Sequence, residues 1–124
     1  AIQKAAVTAL DDDSIPQQTN DKYRRRLEKL VATLNACGFD CQMPGGSYFL
    51  YTKAPHGVEG GLTFATAEEA SQYLITELSM VTVPWAEAGE YLRFSATYEA
   101  ENEAAEDAIM QETEKRLSSI RLLF

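Results

Sequence analysis

From Tyr91 the chain alternates. Leu92, Phe94, Ala96 and Tyr98 fall on one side of an extended segment, and Tyr91, Arg93, Ser95 and Thr97 on the other. That period of two is the mark of a half-buried strand, and it commits the fold to a sheet with one face on a core. The opposite face carries a guanidinium beside two hydroxyl residues and a phenol. It is either a solvated sheet surface or the wall of an anion site.

The chain has 124 residues, enough for one domain with a modest core and hardly for two. Its formal net charge is −8, which repels a phosphate backbone and an anionic leaflet, so nucleic-acid and membrane-surface binding are disfavoured. No apolar run approaches the ~20 residues of a membrane span, and no signal-peptide pattern is present. Cys37 and Cys41 are too few for a disulfide scaffold and read as buried or half-buried thiols. The single histidine, His56, lies apart from them among Pro and Gly, so no metal site is expected.

Two helical patterns open the chain. Ile2, Ala5, Ala6, Ala9 and Leu10 share one side of the first, which reads as the back end of something longer. The acidic stretch 11–20 reads as a loop. Asn20 or Asp21 then caps a helix with Tyr23, Leu27, Leu30, Val31 and Leu34 along one stripe, and Gly38 closes it. Arg24, Arg25 and Arg26 fan around this helix. Asp21 to Arg25 and Arg24 to Glu28 have helix-pair spacing, so a solvated, paired surface is expected there.

The segments 39–43 and 47–54, around Pro44-Gly45-Gly46, read as a hairpin whose positive φ comes from the glycines. Residues 55–61 read as a flexible loop. Thr66 and Glu69 form a capping box for a helix presenting Ala70, Tyr73, Leu74 and Leu78. A short strand at 80–83, a Pro-Trp loop and the arginine strand follow. A last helix runs from about Asn102 to about Arg121, with Ala105, Ala108, Ile109, Leu117 and Ile120 inward. The fold class is α+β, a two-layer α/β sandwich: a small, mostly antiparallel sheet covered by helices.

No Ser/His/Asp triad can be assembled around one histidine, and the carboxylates from Glu99 to Glu106 read as a solvated helix surface. No residue of the chain is assigned a catalytic role. Arg93, a planar two-pronged donor on a strand after a loop, is the one candidate ligand-binding residue.

The order of features carries a resemblance. KYRRRLEKLVATLNACGFDCQMPGGSYFLY, a capped helix, VTVPWAEAGEYLRFSAT and a terminal amphipathic helix resemble the C-terminal portion of class I/II pyridoxal-phosphate aminotransferases, the aspartate aminotransferase superfamily. Tyr23, Arg26, Gly38, Pro44, Gly46, Phe49, Arg93 and Ser95 occupy matching places, and the likeness runs from Ile2 to about Leu117. It implies that Arg93 grips the α-carboxylate of an amino-acid or 2-oxo-acid substrate. It also implies a cytoplasmic homodimer in which this chain, residues 1–124, is the small C-terminal domain beside a large domain holding pyridoxal 5′-phosphate.

Two departures stand beside it. Members often have Pro-Gly followed by Phe-Gly between the last strands, where this chain has Pro84-Trp85-Ala86-Glu87-Ala88-Gly89. None of Lys4, Lys22, Lys29, Lys53 or Lys115 has the Ser-rich surroundings of the family's Schiff-base lysine. The chain alone is therefore expected to be inactive and to hold no cofactor. The rival expectation is a stand-alone acidic binding or regulatory module with Arg93 on a solvated sheet face.

Overall fold

The computed structural model describes all of residues 1–124. Its elements are α1 (Ile2–Leu10), α2 (Ser14–Ala36), β1 (Phe49–Lys53), β2 (Gly57–Val58), β3 (Leu62–Thr63), α3 (Ala67–Leu78), β4 (Val83–Trp85), β5 (Tyr91–Ser95), α4 (Glu103–Ser118) and β6 (Leu122–Leu123). The main sheet runs β1-β5-β4, antiparallel throughout, with β5 in the centre. Helices α2, α3 and α4 supply the other layer. Leu27, Leu30 and Leu34 of α2, Leu74 and Leu78 of α3, and Met110 and Leu117 of α4 bury against Leu50, Leu92 and Phe94 of the sheet and Ala96 just beyond β5. The α+β sandwich expected from the pattern is the fold observed.

Local signals explain the helix ends. Gly38 has φ +96°, the left-handed position that glycine adopts without Cβ strain. There the Gly38 N–H reaches the Asn35 carbonyl and the Phe39 N–H the Leu34 carbonyl, closing α2 with two bonds. Thr66 Oγ1 accepts the Glu69 N–H, as its capping box requires, while the Glu69 carboxylate reaches back to the Ala65 N–H.

Several expectations need correction. α2 begins at Ser14 rather than near Asn20, because Pro16 sits in the first turn, where no N–H is needed, and Asp12 accepts the Ser14 N–H. Residues 39–43 form no strand and no hairpin. Phe39 and Cys41 alternate inward, but the Asn35 side chain takes the place of a neighbouring strand: Oδ1 accepts the Cys41 N–H at 2.7 Å and Nδ2 donates to its carbonyl at 3.0 Å. The partner of β1 is β5. The positive φ in the turn belongs to Ser47, at 73°, not to Gly45 or Gly46. β4 starts at Val83, later than expected, and Pro84 lies on this edge strand, where a missing N–H breaks no ladder bond.

The loop after Pro55 is not wholly irregular either. β2 pairs with β3 and with β6, so the residues after α4 return as a strand, and Phe124 packs edge-on to Phe39 with centroids 4.8 Å apart. In α4 Glu106, Met110 and Leu117 are buried, Ile109 and the following Ile120 pack partly buried against the core as expected, and Ala108 is exposed. Cys41 is buried and Cys37 half-buried, and desolvation pushes both thiols up. α1 buries no side chain. No helix is long and apolar enough to cross a membrane.

Candidate functional site

The register of β5 decides where Arg93 goes. Leu92 and Phe94 are 0% and 6% exposed, so their backs are fixed in the core, and alternation turns Arg93 onto the face without helices. Tyr51 of β1 and Val83 of β4 flank it as cross-strand partners. Its guanidinium carbon lies 4.2 Å from the centre of the Phe49 ring and 5.6 Å from that of Trp85. Tyr51 meets Trp85 edge-on at 5.9 Å, which extends the aromatic wall.

The loop between β4 and β5 is held at its far end. The Glu90 carboxylate accepts the Ala67 N–H at the start of α3, and the Glu90 carbonyl accepts the Ala54 N–H. Gly89, at φ +115°, lets this loop close against Tyr91, whose ring a Cβ would approach to 3.1 Å. Trp85 is thereby kept beside the arginine.

Within the chain the Arg93 side chain makes no ion pair and no hydrogen bond; its guanidinium meets only rings. Stacking restrains the guanidinium plane while the N–H edges stay free. Such a fork accepts a carboxylate through two parallel bonds. No His, Cys, Asp or Glu cluster of three that could hold a metal occurs in the chain. His56 engages its neighbours through its backbone, with its N–H on the Leu123 carbonyl and its carbonyl taking the Phe64 N–H.

A second polar cluster lies where the sequence promised only surface. Arg26 is 3% exposed and Glu106 1%. Arg26 Nε donates to Glu106 Oε1 at 2.8 Å, Arg25 donates twice to the same carboxylate, and Lys29 Nζ approaches Oε2 at 3.3 Å. The expected pairs of Asp21 with Arg25 and Arg24 with Glu28 do not form. Arg25 turns instead to α4, because a desolvated carboxylate there leaves no cheaper partner. A signal was present. Arg26 lies three residues after Tyr23 and four before Leu30, and Glu106 four before Met110, so both charges occupy apolar stripes.

Hydrogen bonds from Arg25, then from Arg26 and Lys29, hold the Glu106 carboxyl at about 2, against an ordinary 4.5, although burial alone would raise it. A lowered folded-state value contributes stability that is present above pH 4.5 and lost as pH falls through about 2. Chemical-denaturation midpoints are therefore expected to drop across that window. In Glu106→Gln the part of the slope due to this group should vanish; an unchanged slope would place the acid lability elsewhere.

The model of the family described as aminotransferase class I and II matches residues 1–109. The chain belongs to that family. It is 42% identical over 128 aligned residues to the LL-diaminopimelate aminotransferase of Methanococcus maripaludis, covering 99% of this chain and 31% of that protein. The enzyme of the same name from Methanocaldococcus jannaschii is also 42% identical, with the same coverage. Among solved structures, an aspartate aminotransferase from Rhizobium meliloti superposes with a TM-score of 0.74 at 24% identity, covering 97% of this chain and 31% of that one. An aromatic aminotransferase from Pyrococcus horikoshii reaches 0.71 at 23%, covering 95% and 31%. This family member thus spans about a third of the length of the relatives it matches, and it has the fold of the corresponding third.

Proposed function

We propose that residues 1–124 form the small domain of a longer, cytoplasmic, homodimeric aminotransferase that uses pyridoxal phosphate. In this reading Arg93 binds the α-carboxylate of the amino-acid or 2-oxo-acid substrate. The observation that carries it is a guanidinium stacked on Phe49, with Trp85 beside it, and no acceptor of its own in a chain of net charge −8. The names of the 42%-identical relatives point to LL-diaminopimelate as the amino donor.

Pyridoxal phosphate supplies an electron sink for carbanion chemistry when bound. Its covalent anchor does not fit this chain. A lysine activated for that bond is desolvated or set beside another cation in a pocket. Here none is buried, Lys29 is committed to Glu106 and Asp107, and Lys115 pairs with Glu112. What these residues can do is orient the substrate. A two-pronged grip fixes the carboxylate plane and hence the direction in which Cα is presented. The uncovered sheet face, closing over a bound substrate, would exclude water from it.

The full-length protein is expected to transfer an amino group from LL-diaminopimelate to a 2-oxo acid when supplied with pyridoxal phosphate. Borohydride trapping followed by peptide mapping should place the cofactor on a lysine outside residues 1–124. Stoichiometric trapping at one of Lys4, Lys22, Lys29, Lys53 or Lys115, or absence of transfer, would overturn the reading.

A further inference from the structure

We propose that Arg26, held by Glu106, is a positioning residue for Arg93; this rests on the carboxylate role of Arg93 given above. β5 loses its ladder where Arg93 needs it most. The last backbone bond on that side is from the Ala96 N–H to the Tyr48 carbonyl, and the chain then runs without a partner strand to the cap of α4 at Asn102. Its next carbonyls turn to one side chain. Arg26 Nη1 donates to the carbonyls of Ala96 and Tyr98 at 3.4 and 2.6 Å, and Nη2 to that of Ala100 at 3.3 Å. The Tyr98 ring covers the same guanidinium, 4.7 Å from its carbon.

Ladder bonds alone do not define where a strand stops. A two-residue slip restores them all and keeps the faces, but it moves each side chain by ~6.8 Å along the strand. Arg93 would then leave Phe49 and Trp85. Arg26 adds a fixed point beyond the ladder, because its Nε is tied to α4 through Glu106 while its Nη atoms hold carbonyls 96, 98 and 100. Arg93 stands three residues before the first of them. Small drifts along the strand are restrained by the same contacts, and small drifts matter where a substrate must be aligned.

A lysine at 26 keeps the charge opposite Glu106 but, as a point donor, cannot fork to the carbonyls. The test uses the full-length enzyme with LL-diaminopimelate and with pentane-1,5-diamine, the same skeleton without carboxylates. Arg26→Lys is expected to raise KM for diaminopimelate about tenfold, with kcat and the kinetics of pentane-1,5-diamine within about twofold. Amide hydrogen exchange at 93–96 should quicken while that of α3 does not. Should Arg26→Lys yield no soluble enzyme, Glu106→Gln carries the same comparison.

Equal losses for both amines, or no change for either, would overturn the role of Arg26, provided that Arg93→Lys in the same assay still penalises diaminopimelate alone. If Arg93→Lys itself fails to separate the two amines, the carboxylate reading falls, and the role of Arg26 with it.

Discussion

Arg93→Ala in the full-length enzyme is expected to lower kcat/KM for amino-acid substrates by about 10²-fold or more. A charged hydrogen bond contributes roughly 1.5–3 kcal/mol, and a two-pronged pair can exceed one bond's share. At ~1.4 kcal/mol per decade, loss of the pair accounts for that factor. The mutation should leave the domain intact, since half-buried Arg93 has no ion pair to lose and its ring contacts are worth about 1 kcal/mol. Arg93→Lys should recover only part of the rate, an ammonium being unable to match both carboxylate oxygens. Cofactor absorbance should be normal in both variants, and amines without an α-carboxylate should be nearly indifferent. Steady-state kinetics with the two amine classes decides the matter: equal losses would mean that Arg93 does not hold the carboxylate.

The residue beside it should behave in the opposite way. Phe94 is 6% exposed and meets Phe39 edge-on at 5.8 Å, with Phe124 on the far side of Phe39. Phe94→Ala removes one end of this stack and is expected to cost roughly 3–5 kcal/mol, read as a shift in the denaturation midpoint of the 124-residue chain. In the same assay Arg93→Ala should cost roughly 1 kcal/mol or less. Were the arginine change to unfold the chain and the phenylalanine change not, the two faces of β5 would be exchanged.

The contrast between these neighbours is legible in the sequence, because a period of two needs no tertiary information. So are Gly38 and the Thr66–Glu69 cap, where a few residues satisfy their own backbone. The partner of β1 is not. Pro44-Gly45-Gly46 is a locally persuasive turn, but the Asn35 side chain had already taken the hydrogen bonds a hairpin would have used. β2, β3 and β6 are two residues each, too short to carry a period. Arg26 and Glu106 were misassigned for a different reason. Each had a plausible solvated setting nearby in sequence, and the choice between that and a buried pair 80 residues apart is made by packing.

The pairing of β1 with β5 also has a bearing on how the chain reaches its native state. Lys53 meets Tyr91 and Phe49 meets Ser95, with α3 and the small β2–β3 hairpin strung between them. Only the β4–β5 and β2–β3 contacts are close in sequence. The central strand must therefore wait for a loop of nearly forty residues to close, and the β2–β6 pair for one longer still. Closure of that kind spends chain entropy before any contact repays it, and mean contact separation of this sort slows two-state folding. α2, whose bonds are all local, can form without it. The seat of Arg93 against Phe49 is thus assembled late, by the same long-range event that completes the sheet.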